Sequence, residues 1–162
     1  RLAGLRKELN LIHDDYDLVI MQIGANDIMR LTQLKSIDRD LRAVLKLLRN
    51  KTRQIVLLHS GDVGTAPIFI WPVNWILSSR SYAVRGIYQK VAQDTGALYV
   101  DLIDSKSDKI FIDDQARYYA SDRLHLSGEG YRVWYETIRL RLKAAGARLS
   151  KNQFDDDLTL VK

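Results

Sequence analysis

Three short apolar runs, residues 17–23, 54–59 and 97–102, divide this chain, and the segments between them carry helical spacing. Runs of this length without polar alternation suit strands whose two faces are both covered. Between the first two runs, Ile37, Leu41, Val44, Leu45 and Leu48 share one helical stripe, while Arg39, Arg42, Lys46 and Arg49 lie largely off it. Between the second and third, Ser79 is placed to cap a helix over residues 79–94, with Ala83, Ile87 and Val91 on one stripe and Gly96 beyond its end. A last helix is expected over residues 128–145, with Ser127 as its cap. Strands alternating with helices fold as right-handed βαβ units, so the expected class is α/β, in three layers around a parallel sheet.

A chain of 162 residues, 46% hydrophobic and 28% charged, suits one domain with a substantial core, expected over residues 1–150 with a solvated tail at 151–162. Cysteine is absent, which excludes disulfides, thiolate zinc sites and a cysteine nucleophile. The net charge of +5 comes from cations scattered among acids rather than from a basic run, which argues against nucleic-acid binding. No apolar stretch reaches the roughly 20 residues of a membrane span. Two connections stand out by length: residues 61–78, with Pro67, Trp71, Pro72 and Trp75, and residues 104–123, rich in charge and tyrosine. Long connections in compact domains are often functional.

Ligands of open α/β sheets bind beyond the carboxyl ends of the strands. Gly24-Ala25-Asn26-Asp27 follows the first apolar run, His59-Ser60-Gly61-Asp62 the second, and Asp122-Arg123-Leu124-His125 precedes the last helix. A carboxylate beside an imidazole holds the Nδ1 proton and leaves Nε2 to take a proton from a nucleophile. An asparagine on a tight turn offers an amide N–H to an oxygen gaining charge. His59 reads as a core residue supporting the site from behind, Ser60 lacks the setting of a nucleophile, and Asp62 either lines a pocket or braces its turn. Trp71 and Trp75, with Ile68 and Phe69, form either an acyl-binding wall or a loop packed on the core. A lone Asp–His pair without a third ligand at suitable spacing makes no metal site.

Gly24-Ala25-Asn26-Asp27 resembles the G-x-N-D block, and Asp122-x-x-His125 the D-x-x-H block, of the SGNH (GDSL-type) hydrolases. The resemblance extends over about residues 15–145. It implies a flavodoxin-like sheet, hydrolysis of carboxylic esters through an acyl-enzyme without a cofactor, and a small-molecule or glycan ester as substrate. The resemblance assigns Asn26 to the oxyanion, His125 to general acid and base work and Asp122 to orienting His125; from the residues themselves, Gly24 and Asp27 are expected to support the turn, and Asp62 and Trp71 to meet the substrate. O-acyl transfer to a carbohydrate, or partner binding without catalysis, are the rival readings. The Gly-Asp-Ser block carrying the family's nucleophile does not precede Asn26, and residues 1–10 look instead like a helix leading into the first apolar run. A strand, crossover and strand need about 30 or more residues, so the serine is expected on a segment upstream of these. The first strand is then expected to have a free apolar edge, and the chain by itself to be inactive and prone to associate through that edge.

Overall fold

The computed structural model of the chain describes residues 2–10, 16–103 and 105–145. Helix α1 (Leu2–Asn10) precedes strand β1 (Tyr16–Gln22), which is followed by the short α2 (Ala25–Met29) and by α3 (Leu34–Arg49). Strand β2 (Thr52–Leu58), a 3-10 turn at Val63–Thr65, α4 (Val73–Thr95) and strand β3 (Leu98–Val100) come next. Helices α5 (Ser105–Asp113), α6 (Gln115–Tyr118) and α7 (Gly128–Ala144) complete the described chain.

The strands lie in the order β1-β2-β3, all parallel, with Tyr16 opposite Thr52, Gln22 opposite Leu58, and Leu58 in turn opposite Val100. The ends of β1, β2 and β3 are therefore level at one rim. Burial on both faces explains the unbroken apolar runs: Ile55 and Leu57 enter a core with α1, α3 and α4, whereas Val56 and Leu58 enter a second core with Leu142 of α7. Three layers result, with the two crossover helices on one face and α7 on the other. The stripe of α3 is buried as its spacing requires.

Helix α4 departs from expectation. It starts at Val73 behind Pro72, and Ser79 is an exposed interior residue rather than a cap. Pro72 lacks an N–H and has a restricted φ, both compatible with a helix start. The buried face runs through Leu77, Ser81, Val84, Tyr88, Val91 and Ala92, leaving Ala83 exposed. Ser81 is buried because its Oγ donates to the Leu77 carbonyl and accepts from the Val63 N–H, at 2.9 and 3.1 Å. The connection over residues 104–123 is likewise built of α5 and α6. No helix among the described residues is long and apolar enough to cross a membrane. The tail expected at 151–162 lies outside the described residues.

Candidate active site

At the end of β1, Gly24 turns the chain with a φ of 119°, a left-handed value that favours glycine. A Cβ there would also stand 2.7 Å from Tyr88 Oη. That hydroxyl donates to the Ile23 carbonyl at 3.0 Å, so α4 is pinned against the turn. The N–H groups of Asp27 and Ile28 both bond the Gly24 carbonyl at 2.9 Å, which starts α2 and puts Asn26 in its first turn. Asp27 is buried, accepting from the Leu2 N–H at 3.2 Å and from Thr32 Oγ1 at 3.0 Å. Adjacent residues thus differ in role: Asp27 braces the turn, and Asn26 is exposed and lines the cavity beyond it.

Across the rim, the loop before α7 is closed by the Ala120 N–H bonding the His125 carbonyl at 2.8 Å. Asp122 Oδ1 accepts the N–H groups of Leu124 and His125, both at 2.9 Å, a turn that aspartate favours because its carboxylate reaches the backbone just ahead. The same turn brings His125 back, and its Nδ1 lies 2.6 Å from Asp122 Oδ2. An ionised carboxylate only accepts, so Nδ1 donates the proton of this bond and Nε2 is turned away from Asp122. The bond from His125, with the two backbone N–H groups behind it, holds the Asp122 carboxyl down at about 2. Both side chains are exposed, so the pair contributes little to stability.

The loop is anchored at both ends. Arg123 Nη2 donates to the Pro67 carbonyl at 2.8 Å, and the Ile68 N–H returns to the Arg123 carbonyl at 3.1 Å. Ser127 Oγ caps α7 by accepting from the Gly130 N–H at 3.2 Å, and donates to the Arg117 carbonyl at 2.6 Å. Gly130 must lack a side chain, because a Cβ would collide with the Tyr118 carbonyl and lie 3.0 Å from Leu126 Cβ.

A cavity of about 360 Å³ opens between these two loops at the carboxyl ends of the strands. Gly24 and Asn26 line one side, His125 the other, and Ser60, Gly61 and Asp62 the end of β2. Asp122 does not line it and stands behind the imidazole. Asp62 also braces its turn, accepting from the Gly64 N–H at 2.9 Å. His59 is fully buried beneath the rim, its ring edge-on to Tyr88 at 5.5 Å. Burial lowers His59 to about 4, with Asp101 raising and Arg85 lowering it to lesser degrees. Trp71, expected at the substrate, does not line the cavity and is 79% exposed. Phe111, Tyr119, Tyr131 and Trp134 line it instead, and were not anticipated. The available signal for the last two was their place in the opening turns of the helix after D-x-x-H. Among the described residues no cluster of three His, Cys, Asp or Glu is placed to hold a metal ion.

The family model of the GDSL-like lipase/acylhydrolase family matches residues 1–133, a stretch that contains both loops. The chain belongs to this family. No curated protein is significantly similar in sequence. Among solved structures, the GDSL-like fold is shared with an alpha/beta hydrolase from the metagenome of Lake Arreo, Spain, at a TM-score of 0.65 and 19% identity over 91% of this chain and 67% of that one. An acetylxylan esterase from Geobacillus stearothermophilus follows at 0.58 and 19%, over 86% of this chain and 65% of that one. A lipase/acylhydrolase from Enterococcus faecalis matches at 0.58 and 19%, over 80% and 62%. The chain therefore spans about two thirds of the length of these structures.

Proposed function

We propose that these residues form the acid–base and oxyanion half of a carboxylic-ester hydrolase, whose nucleophilic serine comes from a segment upstream of this chain. The carrying observation is the 2.6 Å bond between His125 and Asp122, with His125 on the same cavity as Asn26. In this reading His125 Nε2 takes the serine proton as the hydroxyl attacks the ester carbonyl, while Asp122 steadies the imidazolium. The Asn26 amide donates to the oxyanion, a contribution that typically amounts to about 3 kcal/mol of transition-state stabilisation. The imidazolium then protonates the departing alcohol, and water activated by His125 releases the acid from the acyl-enzyme. No step draws on a cofactor. Asp62 is assigned to a polar group of the substrate, and the aromatic wall of Phe111, Tyr119 and Trp134 to its apolar part. Family membership and the likeness of fold to an acetylxylan esterase support ester chemistry.

The test uses protein that includes the upstream segment. A fluorophosphonate probe is expected to label one serine there, and ester turnover to fall roughly a hundred- to ten-thousand-fold in Asp122→Asn and further in His125→Ala. The chain of residues 1–162 alone is expected to do neither. Turnover untouched by His125→Ala, or labelling of Ser60, removes the assignment. Product analysis with a carbohydrate acceptor distinguishes hydrolysis from acyl transfer.

A further inference from the structure

The surface where α4 begins is strongly apolar. Ile70, Trp71 and Trp75 are 75%, 79% and 66% exposed, and Ile68, Val73 and Ile76 are exposed beside them in sequence. Scattered exposed apolar residues need no explanation, but six within nine consecutive positions form a feature that water disfavours. The segment is held in place. Phe69 turns inward against the core, the Phe69 N–H bonds the Ala66 carbonyl at 3.0 Å, and the Asn74 N–H bonds the Ile70 carbonyl at 3.2 Å.

The segment itself carries no acid, and the Asp122 carboxylate beside Arg123 is taken up by His125 and two backbone N–H groups. No carboxylate occurs between Asp62 and Asp94, and α4 has no acidic residue in its first turn, so the positive end of a 23-residue helix is not offset there. Arg123, bonded to the Pro67 carbonyl, brings a guanidinium to the edge of the same segment.

We propose that this face docks on an anionic lipid–water interface. Indole rings favour the headgroup level, isoleucine and valine favour the hydrocarbon just below, and the helix start with Arg123 faces phosphate. A glycan platform would flank its rings with hydrogen-bonding groups. Here the sequence neighbours of Trp71 and Trp75 include Ile70, Val73 and Ile76, which gain from hydrocarbon and nothing from sugar hydroxyls. The chain lies on the surface rather than across it. Because Ile68 is bonded to Arg123, two residues from His125, docking brings the rim of the cavity toward the lipid. Binding needs no chemical step, so it is tested independently of ester hydrolysis.

The full chain is expected to co-sediment with vesicles of equimolar phosphatidylcholine and phosphatidylglycerol, with a blue shift of tryptophan fluorescence and weakening in added salt. Trp71→Ser and Trp75→Ser should each weaken partitioning about tenfold, and Ile70→Glu should do so with both rings retained, without change in thermal stability. Vesicle binding unaltered by these substitutions overturns the proposal. So does equal binding to pure phosphatidylcholine, retention by a soluble xylan in place of vesicles, or a patch consumed in a dimer that Trp71→Ser dissociates.

Discussion

The pairing of His125 with Asp122 is local in origin: a carboxylate that accepts the N–H groups two and three positions ahead also draws the third side chain onto itself. Asp122 stays ionised down to about pH 2, so protonation of this carboxylate does not limit the pair under ordinary assay conditions. His59 behaves oppositely, because its environment is tertiary. It is buried, and neither ring nitrogen has a hydrogen-bond partner among the described residues. Its folded-state value of about 4 lies below the ordinary 6.5, so across that window the unfolded chain takes up a proton that the folded one refuses. Stability is unaffected above the window and declines as the pH falls through it, by on the order of 3 kcal/mol. Urea midpoints are expected to fall on acidification in the parent and to fall less in His59→Leu. An identical pH dependence in the two proteins would show that another group is responsible.

Among the elements, α3 was readable because its buried residues are aliphatic except for Asp40, which pairs with Arg39, and its exposed ones are largely charged. Helix α4 was not, since its buried face includes Ser81 and Tyr88, whose hydroxyls bond the Val63 N–H and the Ile23 carbonyl, both distant in sequence. Tyr88 links this helix to the site through the Ile23 carbonyl and Gly24. Gly24→Ala is expected to cost about 1–3 kcal/mol from backbone strain and crowding, and Tyr88→Phe about 1 kcal/mol from the lost bond. The double variant should be less destabilised than the sum, because removing Oη relieves the clash with the new methyl group. Chemical denaturation of the four proteins measures this coupling, and strict additivity would contradict the contact.

For the whole molecule, the sheet order leaves the outer edge of β1 without a partner strand among the described residues. Tyr16 and Ile20 are each 43% exposed on that strand. A free apolar edge templates pairing with another chain, and a lysine on it opposes such pairing. The chain of residues 1–162 is therefore expected to self-associate, and Ile20→Lys to shift it toward monomer in sedimentation velocity. Association equally strong in Ile20→Lys would place the contact elsewhere.

By itself the sequence determined the α/β class, the parallel sheet, the α3 crossover and the Asp122-x-x-His125 turn, because strand runs, helical stripes and short-range turns are fixed by neighbours a few positions away. It also pointed to Asn26 by its motif. What only the tertiary structure decided was which residues share the cavity. Trp71 left the expected wall for the surface, and Phe111, Tyr119 and Trp134 of the C-terminal helical segment entered it, across from the distant loop after β1. Long-range packing settles such placements, and no local pattern encodes the distance between α4, α5 and α7.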